Sequence, residues 1–323
     1  MQQLPNNKAC GPLGISYKML KHCGPLMLQA ITQLFNKCLN TNMIPKQWKN
    51  SRIYPISKKP NFDGNLNNTR LISLIEHTKK LYTKILTNRL STILSSHPIL
   101  SPYNYVALPG NSTNTPLHIL NNFIEDANSN KKPIWLLSQD MSKAYDSVNI
   151  NLLEKSLHHI KLPQSIVCTI TNLLKLCSNQ VITNFGLTPS YSVEDGIDQG
   201  KTITPLLWRI YYDPLINYIH KKFKGYTSTV SYPTSLFPTK YQTTHANTSV
   251  LAYMDDTLWL AESQQQLQNI INVASTFYQM ANIKVNPQKS SLISNTKHTP
   301  TFTFLNSTIT TQPLNTPLKF LSC

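Results

Sequence analysis

Acidic residues are scarce: 14 Asp and Glu stand against 30 Lys and Arg in 323 residues, a formal net charge of +16. Charged residues total only 14% of the chain, against about a quarter in an average protein, so the imbalance comes mainly from missing acids. A basic surface that is not saturated with charge suits a polyanionic partner, nucleic acid before anionic membrane. The sequence has no run of 18 apolar residues, which excludes a spanning helix and leaves no membrane partner to expect. Its start, MQQLPNNKACGPLG, lacks the charged opening and apolar middle of a signal peptide, so an intracellular protein, nuclear or cytoplasmic and not secreted, is expected. Cys10, Cys23, Cys38, Cys168, Cys177 and Cys323 form no CxxC pair and no Cys/His cluster at zinc spacing, and they read as free thiols. No internal repeat and no clear linker is present. With 40% hydrophobic residues, 10 Phe, 15 Tyr and 4 Trp, the chain has ample material for a core and is not disordered.

Helical periodicity predicts helices over 25–42, 76–94, 112–127, 151–160, 163–176 and 202–222, with another over 263–282 capped by Ser263. The 76–94 helix carries Leu81, Ile85, Leu90 and Leu94 on one stripe and Lys79, Lys80, Lys84 and Arg89 off it, which predicts a basic face. Short strands are predicted at 52–56, within 131–140, across 179–197, on both sides of 253–256, and at 283–286, 291–294 and 301–305. Residues 224–247 are rich in Thr, Ser and Pro without periodicity and read as an irregular insertion. A mainly helical N-terminal third followed by interleaved strands and helices is an α+β chain.

Because acids are few, their positions are informative. Asp140 ends the apolar run KKPIWLLSQD, and Asp255 and Asp256 occupy the turn of a strand–turn–strand pattern 115 residues later. If these strands are neighbours, three carboxylates converge on one point and repel one another unless cations neutralise them. Hard oxygen ligands of this kind suit Mg²⁺, which keeps waters and substrate phosphates as its other ligands. Adjacent Asp residues also mark ordinary hairpin turns. The apolar strands on both sides, with Tyr253 and Met254 just before the acids, favour a built site.

YMDD at 253–256 resembles the catalytic hairpin of reverse transcriptases, and SQDMSKAYDSV at 138–148 resembles the first catalytic strand of non-LTR (LINE-type) retrotransposon enzymes. GIDQGKTITPLLWRIYYDPL at 196–215 is similar to the Gln-Gly block of that family and the helix after it, and IKVNPQKS at 283–290 to the block after the hairpin. Upstream, KACGPLGISYKMLKH, residues 48–58, TRLISLIEHTKKLYTKILTNRL and VALPGNST are similar to its fingers blocks. The resemblance implies a right-hand polymerase fold with helical fingers, about 1–132 and 150–192, and a ferredoxin-like antiparallel palm sheet, about 133–149 and 193–310. Together these form a reverse transcriptase domain over 1–310, with a short tail at 311–323 and a thumb absent or minimal.

The same resemblance implies an RNA-directed DNA polymerase using Mg²⁺, or Mn²⁺, to join deoxynucleoside triphosphates to a DNA primer on an RNA template, with no clear protein partner. Asp140, Asp255 and Asp256 would be its catalytic, metal-binding triad. Tyr145 would sit under the sugar and reject a 2′-hydroxyl. Gln199 and Gly200 would approach the incoming nucleotide. Lys58 and Arg70 would hold the triphosphate, and Lys289 would donate a proton to pyrophosphate. The basic helix with Lys79, Lys80, Lys84 and Arg89 would contact nucleic-acid phosphates in a sequence-blind way.

Several family positions are altered. Pro-Gly-Pro-Asp reads Cys10-Gly11-Pro12-Leu13, Arg-Pro-Ile-Ser reads Arg70-Leu71-Ile72-Ser73, and Arg-Pro-Gly-Arg reads Leu108-Pro109-Gly110-Asn111. Asp198 replaces the proline before Gln199, and Lys201 replaces a small residue. These changes suit a truncated or degenerate element copy, so a catalytically inactive nucleic-acid-binding remnant stands as the alternative. An RNA-directed RNA polymerase shares the paired-Asp hairpin, but Tyr145 counts against it.

Overall fold

The computed structural model describes the chain apart from residues 1–4, 6–7, 59, 62–63, 66–67, 111, 143, 198–201, 234–240, 287–288, 297–299, 306, 314–315, 319 and 322–323. It divides into two compact units, each built from two stretches of chain: Met1–Ile93 with Val148–Leu207, and Leu94–Ser147 with Trp208–Cys323.

In the first unit, Pro25 opens the helix Pro25–Thr41, where its missing N–H costs nothing, and Asn42 ends it in the left-handed region at φ 56°. The buried Ile31, Phe35 and Cys38 of this helix pack with Trp48, Tyr82 and Leu86. Asn50–Ser57 lies between Thr69–Leu74, antiparallel to it, and Cys177–Thr183, parallel to it. The turn at Gly11 passes so close to the backbone of Ile75 and Glu76 that a Cβ there would stand 2.6 Å from Glu76 N. The Leu13 N–H donates to the buried Glu76 carboxylate at 2.7 Å, completing the anchor of this N-terminal block.

The helix His77–Ser96 corrects one expectation. Lys79 does not face solvent: it is 2% exposed, and its ammonium donates to the Trp48 carbonyl at 2.6 Å. The reason is helical spacing, because residues 79, 82, 86 and 90 form a second stripe and Tyr82, Leu86 and Leu90 are all buried. Lys80 and Lys84 are half-buried and Arg89 is exposed.

The second unit is organised by a six-stranded sheet in the order Val250–Tyr253, Asp256–Ala261, Trp135–Gln139, Ser291–Ser294, Ser307–Pro313 and Thr301–Phe304. All its pairings are antiparallel except that of Ser291–Ser294 with Ser307–Pro313. Every residue of Trp135–Gln139 is buried, as a strand covered on both faces must be. Leu136, Leu258 and Leu260 pack with Leu120, Phe123 and Ala127 of the helix Asn114–Ser129. Elsewhere in the sheet, Trp135 meets Phe302 at 5.7 Å, and Phe304 meets Tyr278 of the helix Gln264–Met280 at 6.3 Å. Ser263 caps that helix through the Gln266 N–H, as its sequence predicts.

Two further expectations differ from what is found. The described part of 224–247 is not irregular: Tyr226–Pro233 pairs with Tyr241–Thr248 over eight antiparallel positions, and 234–240 lie outside the described residues. Both faces of this ribbon are largely polar, so it has no alternation to betray it, and the Thr, Tyr and Val content is its only strand signal. Its base is clamped, because Tyr226 donates to Asp126 at 2.6 Å and Thr227 N–H to Glu262 at 2.8 Å. Gly225, at φ 74°, passes so near Thr248 that a Cβ would stand 2.0 Å from its carbonyl oxygen. Nor is 311–323 merely a tail, since it opens inside the strand Ser307–Pro313, and Phe320 and Leu321 join the core.

Candidate active site

Strand register brings the sequence-predicted acids together. Gln139 pairs with Thr257 at the end of that ladder, so Asp140 and Asp256 lie just past it at the same end of the two strands. Tyr253 pairs with Asp256 across the hairpin, which leaves Met254 and Asp255 as the two central residues of the turn. Such turns need a positive φ at the first central position, and glycine ordinarily provides it. Met254 does so instead, at φ 55°, a strained conformation for a residue with a side chain. The indole of Trp208, fully buried, donates to the Met254 carbonyl at 2.6 Å and holds the turn.

Burial pushes the Asp255 carboxyl above its ordinary range; a hydrogen bond from its own backbone N–H opposes the rise, and the charge of Asp140 adds to it. Tyr145, half-buried on the short turn Ala144–Ser147, has its hydroxyl pushed up, chiefly by burial and then by the charges of Asp255 and Asp256. Its ring stands edge-on to Trp208 at 5.7 Å and 67°. Two mutually repelling carboxylates, one of them desolvated, with a tyrosine facing the acidic turn, make an electrostatically frustrated site. Among the described residues, no group of three or more His, Cys, Asp or Glu side chains stands close enough to hold a metal ion.

Residues 56–321 match the family described as Reverse transcriptase (RNA-dependent DNA polymerase). The chain belongs to the reverse transcriptase family. This reverse transcriptase domain is of the non-LTR retrotransposon kind. It is 24% identical over 302 residues to a probable RNA-directed DNA polymerase from transposon BS of Drosophila melanogaster, covering 90% of this chain and 30% of that protein. It is 23% identical over 252 residues to a retrovirus-related Pol polyprotein from the type-1 retrotransposable element R2 of Popillia japonica, covering 78% of this chain and 33% of that one. The chain thus spans about a third of the length of these curated relatives. Among solved structures, apo telomerase from Candida tropicalis truncated from its C-terminal domain superposes with a TM-score of 0.55 at 15% identity, covering 83% of this chain and 54% of that one. That likeness establishes the polymerase fold for the α+β architecture.

The reverse transcriptase hairpin rests on a buried polar network that sequence reasoning missed. The Gln139 amide oxygen accepts from Trp259 Nε1 at 3.0 Å and from the Tyr278 hydroxyl at 3.0 Å. The Tyr278 and Tyr212 hydroxyls meet at 2.7 Å, and Thr257 donates to Tyr212 at 3.3 Å. Gln139 immediately precedes Asp140 and Thr257 immediately follows Asp256, so this satisfied network pins the strand ends that carry the acids. Arg209 and Asp213 were missed as well. Arg209 donates to the carbonyls of Val106 at 2.6 Å and Ser101 at 3.0 Å, and Asp213 accepts the Ser101 N–H at 2.7 Å. They hold a segment whose Tyr103 and Tyr105 exchange backbone hydrogen bonds with Ala252 on the hairpin strand. An Arg and an Asp inside a mostly apolar helix were the available signal for these two, because buried polar groups must find partners.

Asn286 N–H donates to the Asp140 carbonyl at 2.9 Å, which brings the turn carrying Lys289 beside Asp140, and the Lys289 side chain is exposed. Lys58 and Arg70 are exposed in the first unit, on the hairpin whose strands pair Ile56 with Arg70. Gln199 and Gly200, with Asp198 and Lys201, lie outside the described residues.

Proposed function

We propose that this chain is the fingers and palm of an RNA-directed DNA polymerase that extends a DNA primer on an RNA template. The observation that carries the reading is the Trp208-anchored turn, which presents a desolvated Asp255 within the field of Asp140. The primer 3′-oxygen forms a bond to the α-phosphorus of a deoxynucleoside triphosphate, and the bond from that phosphorus to the pyrophosphate oxygen breaks. Asp140, Asp255 and Asp256 would hold the divalent ions: a hard dication accepts clustered carboxylates, and Mg²⁺ needs only one or two from protein because phosphates and water complete its shell. Mg²⁺ or Mn²⁺ bound there would activate the primer hydroxyl and stabilise the leaving pyrophosphate. In this reading Tyr145 would pack under the sugar and select deoxyribose, Gln199 and Gly200 would meet the incoming nucleotide, Lys58 and Arg70 would neutralise the triphosphate, and Lys289 would supply a proton to pyrophosphate.

The test is primer extension on a primed RNA template with deoxynucleotides and Mg²⁺ or Mn²⁺. Extension that requires the dication supports the reading. Tight template binding without extension favours the inactive, nucleic-acid-binding remnant, the second reading that the altered fingers positions Leu13, Leu71 and Asn111 support.

Template binding is expected to weaken steeply with salt, because Lys and Arg displace counterions from phosphate. Lys84→Ala and Arg89→Ala should each weaken binding uniformly across sequences and reduce the magnitude of the salt slope by about 1. Lys80, half-buried, should contribute less, and Lys79→Ala should instead cost about 2 kcal/mol of stability, as loss of a buried charged hydrogen bond does. Binding titrations between 50 and 200 mM salt, roughly the span over which such contacts lose most affinity, decide the point.

A further inference from the structure

We propose that Trp208 is a positioning residue that couples the sugar-facing ring of Tyr145 to the acidic turn, so that one side chain sets both catalytic rate and sugar selection. The proposal rests on the polymerase reading above and adds a residue and a role to it. Trp208 has no exposed surface, stacks on Tyr212 at 5.5 Å and 19°, and uses its two remaining features separately. The indole N–H takes the Met254 carbonyl at 2.6 Å, and the ring meets Tyr145 edge-on at 5.7 Å.

The carbonyl it grips belongs to the peptide that joins Met254 to Asp255, so fixing that oxygen fixes the peptide plane from which the Asp255 carboxylate projects. The grip is needed because Met254 is strained at φ 55° and the turn would otherwise relax. An indole is suited to the position. It fills an apolar site with a large rigid body and carries a single polar atom, a donor that can only give a hydrogen bond. Phenylalanine would keep an aromatic neighbour for Tyr145 but leave the carbonyl unpartnered, and leucine would lose both contacts.

The two contacts can therefore be separated. Trp208→Phe should lower kcat for deoxynucleotides about tenfold, as small misplacements of a reacting group do, with little change in KM or in the preference for deoxyribonucleotides over ribonucleotides. Trp208→Leu should lower kcat and, by freeing the Tyr145 ring, also relax that preference by about tenfold. A purely structural role predicts a lower melting temperature and fewer active molecules, with kcat per active site and sugar preference unchanged in both variants; that result overturns the proposal. A second measurement does not depend on activity. Hydrogen exchange of the peptide covering residues 253–256 should speed up about tenfold in Trp208→Phe, while that covering Leu136 and Leu137 keeps its rate. Unchanged exchange at the turn overturns the proposal even if the wild-type chain extends no primer, an outcome that would separately overturn the polymerase reading.

Discussion

Asp255→Asn is expected to lower primer extension by about a thousandfold or more, equivalent to about 4 kcal/mol of transition-state stabilisation, and in metal-free buffer to make the protein more stable. The loss of rate follows from removing a carboxylate that would bind the dication, since an amide of the same shape is neutral and a poor ligand for a hard cation. The gain in stability follows from the raised carboxyl of Asp255. A carboxyl whose folded value lies above its unfolded value supports the fold when protonated, below the unfolded value, and that support disappears as pH rises through the raised value. Above that window the wild-type chain carries a desolvated charge facing Asp140, and Asn removes it. Thermal unfolding of both proteins from acid to neutral pH should show their midpoints separating as Asp255 ionises, and Mg²⁺ should narrow the gap by stabilising only the wild type. Equal extension by the two proteins, or a variant less stable at neutral pH, would contradict the assignment of Asp255.

Trp259→Ala is the substitution expected to damage the second unit most. Trp259 is fully buried in the strand Asp256–Ala261, directly across from Leu137 and Val250. Removing an indole from such a core costs about 3–5 kcal/mol through lost burial and the cavity left behind. The Gln139 oxygen loses one of its donors as well, so the harm reaches the strand end that carries Asp140. For a body of this size the midpoint should fall by roughly 10 °C. Trp259→Phe keeps most of the packing and should lose less than half as much. A drop of only about 2 °C in Trp259→Ala, small against the cost of core truncation, would show that the network does not brace the sheet.

The parts legible in the sequence were those set by local pattern. Ser263 and Pro25 announce helix starts by their own chemistry, and the apolar strands around Asp255 and Asp256 make the hairpin readable. Contacts between distant segments were not readable. Lys79 resembles any surface lysine until Tyr82, Leu86 and Leu90 are seen to form a second buried stripe beside it. Trp208 looks like one more apolar residue of a buried helix, because nothing in the sequence shows that its N–H meets a carbonyl 46 residues away. The 226–248 ribbon hides for the opposite reason: its order lies in backbone pairing and clamps at its base, while its side chains carry no period.

The central strand Trp135–Gln139 lies between Asp256–Ala261 and Ser291–Ser294, and both are made long after it. During synthesis at about 5–20 residues per second, the 116 residues between Gln139 and Asp256 take roughly 6–23 s to emerge. For that time a segment buried at all five positions in the finished molecule waits without either strand neighbour, and its unpaired edges can join a second nascent chain. Yield of native protein should therefore respond to the pace of translation and to shielding of that segment on the ribosome, quite apart from the stability of the completed fold.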